Sequence, residues 1–418
     1  MIQHLFRIIW NERGNNIAVW VELFLISVFL WYVVDYIYVG VSDYYKPLGF
    51  DTEHTYIMHL GYLNSDSPLY QLPDSTINTA DQLFMVLERI QQNQMIETAS
   101  ISVFSSPHIG SNSWQNLYCD TTRYKYYSLR RIVTPDFFRV FNYKSANGST
   151  NELVETLKKN ELVLAPEIEK EMFPGESAIG KRIKFDSDPD IESFRVGAIS
   201  TTIRYDNWIN ESLKRYYAKI LDSEYLSYYG NDNVEDLEFC VRVKPEEDYD
   251  FAERFYEQMA NRLQIGNFYL NTIEYIPDNK AKFHMSMMNE LKTRGFIVFF
   301  LLVNIFLGII GTFWFRTQYR QGEIGVRVAM GDSPRGILRM YYSEGILLLS
   351  LAMIPAMVII YILKETEILS YYWKFTVARY FIGLGITYLL LAGMIILGIW
   401  FPARKAVNMP PAEALRDE

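Results

Sequence analysis

The chain has 418 residues, half of them hydrophobic, and a formal net charge of −9 at pH 7. This length allows more than one folding unit, and the acidic balance excludes a charge-based reason to expect nucleic acid as a partner. Long apolar runs lie near both ends, whereas the middle has the mixed composition of a soluble domain. Both cysteines, Cys119 and Cys240, fall in the middle, where a disulfide is one alternative and two separate buried thiols are the other.

The N-terminal segment predicts two membrane-associated helices. Residues 1–16 have the apolar spacing of an amphipathic helix that lies on the cytoplasmic membrane surface. Residues 17–39 form an apolar run, and about 20 such residues are enough to cross the hydrocarbon layer of a bilayer. The run is longer than the core of a signal peptide, and no small-residue cleavage site follows it. We therefore predict a retained transmembrane helix.

The middle segment, 40–295, alternates strand and helix patterns and contains two β-α-β units. The strand, helix and strand patterns lie at 54–63, 80–92 and 96–104 in the first unit, and at 237–243, 248–263 and 267–276 in the second. Two such units predict an α+β sandwich of the ferredoxin-like kind. The segment from about residue 105 to about residue 235 would then be an inserted, mainly-β subdomain. Polar helix patterns at 35–46 and 279–294 adjoin the apolar runs and predict helical stalks.

Three further apolar runs follow the middle segment and complete four predicted spans, one before it and three after it. They lie at 296–315, 346–363 and 380–401. The loop 316–345 and the tail 402–418 are rich in arginine and lysine, so the positive-inside rule makes them and the N-terminus cytoplasmic. The middle segment and the short loop 364–379 then lie outside the cytoplasm.

Three acidic residues lie in or at the edge of the predicted spans, namely Glu22, Asp35 and Glu344. A charge at membrane depth is a candidate functional group. The alternative is that each lies close enough to an interface for snorkelling or a hydrogen bond to stabilise it. The middle segment offers no comparable site, because its histidines lack metal-ligand spacing and no nucleophile motif occurs. The sequence therefore indicates a non-enzymatic protein.

The cytoplasmic loop predicts a short basic helix at 318–330, a break at Gly331 and a second helix that enters span three. Ser333 suits the N-cap of that second helix and Pro334 suits its first position. The short helix could pass motion from a soluble partner into the membrane. The alternative is an interfacial helix that only anchors the topology.

Three parts of the chain resemble one known family of proteins, namely the cytoplasmic loop, the C-terminal end and the middle segment. The loop QGEIGVRVAMGDSPRGILRMYYSEGILL is similar to the signature loop of that family, although Gln321-Gly322 and Asp332 depart from its pattern. The ending FPARKAVNMPPAEALRDE and the segments 134–138 and 162–184 are similar to further family motifs, with Ala178 where proline is usual. The family is that of the MacB/FtsX-type ABC transporter permeases. The resemblance covers essentially the whole chain, and three motifs in the same order make it specific.

The resemblance implies a permease subunit that transmits the ATP-driven motion of an ATPase to a periplasmic domain, for efflux or for lipoprotein or peptide handling. It implies that the short cytoplasmic helix is the coupling helix that docks on the ATPase. The residues assigned to this coupling are Arg320, Glu323, Ile324, Gly325, Arg327, Met330 and Gly331. The chain has no phosphate-binding G-x-x-x-x-G-K-[ST] loop. ATP and Mg²⁺ would therefore bind a separate ATPase chain, and no cofactor is expected on this one.

The family also implies the partners and the location. We expect a bacterial inner-membrane protein that pairs with a second permease, as a homodimer or a heterodimer, and with a periplasmic adaptor or an outer-membrane channel as a further partner. The alternative function is that of the FtsX branch, a transmembrane signalling relay that controls a periplasmic partner without transport.

Overall fold

The structure, a computed structural model, describes residues 10–11, 13–72, 77–108, 112–119, 122–186, 191–205, 207, 214–229, 233–320, 322, 326–328, 330–363 and 375–407. The chain divides into two units. Met1–Tyr44 and Asn289–Glu418 form the membrane unit, and Tyr45–Met288 forms the outer domain. Most of the amphipathic helix predicted at 1–16 lies outside the described residues.

The helices and strands alternate through the outer domain, whereas the membrane unit is helical. The helices are α1 (Arg13–Tyr44), α2 (Thr79–Gln91), α3 (Phe137–Val140), α4 (Thr150–Lys158), α5 (Pro166–Met172), α6 (Ser223–Tyr229), α7 (Phe251–Met259), α8 (Ile276–Tyr319), α9 (Pro334–Leu363) and α10 (Val377–Val407). The strands are β1 (Thr55–Tyr62), β2 (Ile96–Val103), β3 (Trp114–Cys119), β4 (Thr122–Val133), β5 (Leu162–Leu164), β6 (Arg182–Lys184), β7 (Phe194–Ile199), β8 (Tyr216–Ile220), β9 (Leu237–Val243) and β10 (Phe268–Tyr275).

Helices α1, α8, α9 and α10 each contain a segment long and apolar enough to cross a membrane, and we call them spans one to four. The segments are Asn16–Tyr44, Met288–Thr312, Pro334–Leu363 and Val377–Trp400. The prediction of four spans, one before the outer domain and three after it, is confirmed. Helix α8 runs without a break from the polar pattern at 279–294 into span two, and α1 continues past its apolar run to Tyr44.

Spans one, three and four pack closely, while span two is largely uncovered. About a third or more of the most apolar window is buried in each of those three spans, compared with 6% in span two. Leu30, Leu349 and Leu391 are fully buried members of one cluster and come from spans one, three and four. The close contact has a local cause at Gly383, where a Cβ atom would lie 2.7 Å from Nε1 of Trp31.

One end of the outer domain is an antiparallel sheet built from both β-α-β units. Its strand order is β10-β1-β9-β2, so each unit contributes one central strand and one flanking strand. Helices α2 and α7 pack on this sheet through their apolar faces, which include Leu83 and Phe255. Asn78 starts α2 as a side-chain N-cap by accepting a hydrogen bond from Ala80 N. Both predicted β-α-β units are therefore confirmed.

The inserted segment forms a closed ring of six strands. Its order is β4-β3-β6-β7-β5-β8, and β8 pairs back onto β4 in parallel register, Leu129 opposite Tyr216. Side chains from five of the strands pack in one cluster, among them Leu164 and Tyr217. Successive residues on β5 and β8 alternate between this cluster and a second one that includes Phe137 and Cys240. The alternation places the first cluster inside the ring.

The insertion also contains helices α3 to α6, which the sequence analysis did not predict. They are four to nine residues long, too short to show a clear helical period.

In the described residues no disulfide joins Cys119 and Cys240. Cys240 is fully buried beside Ser102, and this burial raises the pKa of its thiol well above the ordinary value. Of the two alternatives for the cysteines, the structure has separate thiols.

Replacing Leu164 by alanine should lower the free energy of unfolding of the outer domain by about 2–5 kcal/mol, because a fully buried leucine leaves a cavity. Leu72 is 88% exposed, so Leu72→Ala serves as the matched control and should change this energy by no more than about 0.5 kcal/mol. Urea unfolding of the full chain in detergent, followed by tryptophan fluorescence, measures both. Equal effects of the two substitutions would contradict the place of Leu164 inside the ring.

Candidate functional site

The loop between spans two and three contains the residues predicted to couple the chain to an ATPase. Arg320 directly follows α8 and is buried, whereas Arg327, Met330 and Gly331 belong to the described turn before α9. The predicted coupling residues outside the described part of the chain are Glu323, Ile324 and Gly325. One boundary differs from the prediction, because Gln318 belongs to α8. Residue 318 is therefore not the start of a separate short helix, of which the structure describes residues 322 and 326–328.

A hydrogen-bonded turn ends the short helix at Gly331. The N–H of Asp332 donates to the carbonyl of Arg327 at 3.0 Å, and the N–H of Gly331 donates to the carbonyl of Val328 at 3.0 Å. This pair of bonds is the Schellman motif, whose C′ residue adopts a left-handed conformation. Gly331 has a φ of 92°, which glycine adopts without the steric cost that a Cβ atom would bring. The predicted break at Gly331 is confirmed.

Helix α9 starts immediately after this turn. Ser333 caps it, since its Oγ accepts a hydrogen bond from Gly336 N at 3.1 Å, and Pro334 occupies the first helical position. The sequence analysis predicted both roles. Among the described residues of the loop, the turn at Gly331 thus leads directly into the capped start of α9.

The surface of this turn combines apolar and basic side chains. Met330 is 80% exposed and Val326 is 46% exposed, while Arg335 and Arg339 on the first turns of α9 are also exposed. Arg327 lies 3.9 Å from Asp332, which is a weak surface contact. Methionine and arginine are enriched in protein interfaces. The described turn therefore presents both kinds of side chain on its surface.

A buried ion pair closes the loop at its base. Arg320 Nη1 donates to Glu344 Oε2 at 2.9 Å, and the two side chains are only 7% and 4% exposed. Sequence analysis named both residues but did not predict that they pair. Arg320 follows span two and Glu344 lies on span three, so the pair joins the two ends of the loop. Removing one partner of such a pair would leave an uncompensated buried charge.

A second buried ion pair lies at the other end of the spans. Arg379 binds both carboxylate oxygens of Asp35, with Nε donating to Oδ1 at 2.6 Å and Nη2 bound to Oδ2. The sequence analysis named Asp35 but missed Arg379, which it placed in the short loop 364–379. The structure has α10 begin at Val377, so Arg379 is helical. A lone arginine at the start of a span, on the same side as an acidic residue of another span, is a signal that could have identified it.

Glu22, the third acidic residue, is held differently. It is half-buried, and its carboxylate accepts a hydrogen bond from Thr312 Oγ1 of span two at 3.3 Å. Gly308 lies beside it, where a Cβ atom would be 3.5 Å from Glu22 Oε1. Among the described residues, no group of three or more histidine, cysteine, aspartate or glutamate side chains is placed to hold a metal ion.

Replacing Glu344 by alanine should destabilise the membrane unit by about 3–5 kcal/mol, because the buried Arg320 guanidinium would lose the carboxylate that it binds. Glu290 and Arg294 provide the matched control, since they form an ion pair whose side chains are about half exposed. Glu290→Ala should cost no more than about 1 kcal/mol. Thermal unfolding in lipid nanodiscs compares the two, and a Glu344→Ala protein as stable as the control would show that the pair contributes little.

Two sequence models of protein families match the chain. Residues 48–254 match the MacB-like periplasmic core domain, and residues 295–411 match the FtsX-like permease C-terminal domain. Together they cover more than three quarters of the chain and lie on either side of the start of span two. No curated protein matches the chain significantly.

Several solved structures resemble the chain at a distance. The periplasmic region of MacB from Actinobacillus actinomycetemcomitans is 13% identical, with a TM-score of 0.34, and the match covers 53% of this chain and 89% of that one. A domain of a permease protein from Porphyromonas gingivalis is 14% identical, with a TM-score of 0.36, covering 54% and 94%. The extracellular domain of the ABC-type transporter YknZ from Gram-positive bacteria is 10% identical, with a TM-score of 0.31, covering 52% and 100%.

The assignment rests on the family models rather than on these distant structural matches. The MacB-like domain falls in the segment between the first and second spans, and the FtsX-like domain contains the last three spans with the loop that Arg320 and Glu344 close. The two matched domains follow each other in the order that the spans require, and together they cover most of the chain. The chain therefore belongs to the MacB/FtsX-type ABC transporter permeases.

Proposed function

We propose that this chain is the permease subunit that transmits ATP-driven motion of a separate ATPase across the membrane to its own extracytoplasmic domain. The observation that carries the proposal is the loop between spans two and three. It exposes Met330 on a turn fixed by hydrogen bonds, and the buried Arg320–Glu344 pair closes it at its base. A closed loop of this kind moves as a unit when a partner pushes on it.

The continuous helices supply the path of transmission. Motion of the loop would displace the end of α8 through Arg320, and α9 through Glu344, ten residues after its first residue Pro334. Helix α8 continues through span two to Ile276 without interruption, and α1 continues through span one to Tyr44. Because backbone hydrogen bonds stiffen a helix along its length, displacement at one end of either helix reaches the residues at the other end.

ATP chemistry belongs to the partner in this proposal. The sequence contains no G-x-x-x-x-G-K-[ST] loop to hold phosphates, so ATP and Mg²⁺ would bind the ATPase and this chain would be a non-catalytic subunit. Glu323, Ile324 and Gly325 would complete the docking surface around Met330. The basic loop and both termini would lie in the cytoplasm of a bacterial cell, consistent with the positive-inside rule.

A second permease is the other proposed partner. Span two presents large apolar side chains that its own chain leaves uncovered, for example Phe296 and Phe299, which are 72% and 64% exposed. A homodimer or a heterodimer would cover part of this surface, and lipid the remainder. A periplasmic adaptor or an outer-membrane channel would then engage the outer domain in efflux or in lipoprotein or peptide handling.

A signalling relay that controls a periplasmic partner would use the same loop and the same helices. The two functions differ in what meets the outer domain. Cross-linking in whole cells, followed by identification of the captured protein, separates them, because an outer-membrane channel indicates transport and a periplasmic hydrolase indicates the relay.

Substituting Met330 by aspartate should abolish co-purification of the ATPase and its stimulation by this chain, because a carboxylate in an apolar contact must lose its hydration. Met285 provides the control, since it is also a largely exposed methionine but lies on the outer-domain part of α8. Met285→Asp should leave the ATPase bound and stimulated. Normal stimulation by Met330→Asp would exclude the turn as the docking surface.

A further inference from the structure

Asp35 and Arg379 lie where three of the spans meet. Both side chains are almost fully buried, at 2% and 7% exposure, and the guanidinium binds both carboxylate oxygens. Such two-point contacts fix the direction as well as the distance between the groups. The carboxylate belongs to span one and the guanidinium to span four, 344 residues apart in the chain.

Neighbouring contacts extend this junction to span three. One turn before Asp35, Trp31 Nε1 donates to the carbonyl of Tyr380 at 3.4 Å and packs against Gly383, where a Cβ atom would not fit. The hydroxyl of Tyr380 donates to the carbonyl of Met357 on span three at 2.8 Å. Spans one, three and four are therefore joined by directional contacts at this end of the spans.

Span two is less covered by the rest of the chain than the other spans are. Its polar contacts with span one include the 3.3 Å hydrogen bond from Thr312 to Glu22, beside Gly308, and the Arg294 guanidinium 4.8 Å from the centre of the Tyr36 ring. Only 6% of the apolar window of span two is buried, compared with 39% for span one and for span four. Separating Asp35 from Arg379 would leave two buried charges without the contact that joins them, so spans one and four are expected to stay together when the spans move.

We infer that the Asp35–Arg379 pair makes spans one and four move as one body, so that motion of the later spans reaches α1 and its extension to Tyr44. This inference rests on the proposed function and adds positioning residues to it. Motion enters at the loop, passes along span three and crosses at the junction of Tyr380, Arg379 and Asp35.

An apolar replacement distinguishes a role in transmission from a role in stability. Exchanging a buried ion pair for apolar residues is often neutral or stabilising, so Asp35→Leu combined with Arg379→Met should fold and melt near the temperature of the natural protein. Apolar side chains in a bilayer prefer each other no more than they prefer lipid. The double substitution should therefore keep the packing but lose the directional connection. Asp35→Glu, which retains the charge pair, is the conservative control.

The experiment uses the full chain with its ATPase in nanodiscs. Val41 is 53% exposed on the extension of α1, so Val41→Cys, in a Cys119→Ser background, reports the position of that helix. Its labelling rate with a water-soluble maleimide is measured with and without ATP. We expect an ATP-dependent change in the protein with natural Asp35 and Arg379, loss of that change in the apolar double variant, and its retention in Asp35→Glu.

The outcomes separate this inference from the function on which it rests. The apolar variant should still bind the ATPase, because the pair and the docking loop lie at opposite ends of the spans. A full labelling change in the apolar variant, or an equal loss in Asp35→Glu, would overturn the role of the pair while leaving the proposed function intact. If the protein with natural Asp35 and Arg379 neither binds the ATPase nor changes its labelling rate on addition of ATP, the proposed function fails and this inference fails with it.

Discussion

A charged side chain that is buried within a protein has no water to hydrate it, and this constraint determines how the membrane unit is held together. Arg320 and Asp35 lie at opposite ends of the spans, and each is buried against a counter-charge from another helix. Because no member of either pair could be buried alone, each pair specifies which helix ends lie side by side. Apolar packing between the same helices is less specific, since side chains of similar size can replace one another.

Features set by local sequence could be predicted without the structure. Hydropathy was sufficient to locate the four spans. A chain segment in lipid must form its backbone hydrogen bonds internally, so a long apolar run there becomes a helix. Helical and alternating periodicity was sufficient for the β-α-β units, and the Gly331 turn was readable because one residue type and its neighbours determine it. The same holds for Ser333 and Pro334 at the start of α9.

Features that join distant parts of the chain could not be predicted. Asp35 was recognisable as an acidic residue in a span, but its partner is 344 residues away and no local pattern connects the two. Closure of the ring could not be predicted for the same reason, because it depends on the pairing of β4 with β8, two strands about 90 residues apart in the chain. Strand pairing of this kind is decided by tertiary packing, so the sequence indicated a mainly-β insertion without its closed topology.

The low burial of span two has a consequence for how complexes of this protein behave once extracted from the membrane. Contact between span two and a second copy would exchange lipid for protein and release little water, so close packing rather than the hydrophobic effect would drive it. Such an association obeys mass action within the lipid or micelle phase. Excess detergent dilutes the chains in that phase and shifts the equilibrium towards single subunits, whereas reconstitution at high protein-to-lipid ratio shifts it back.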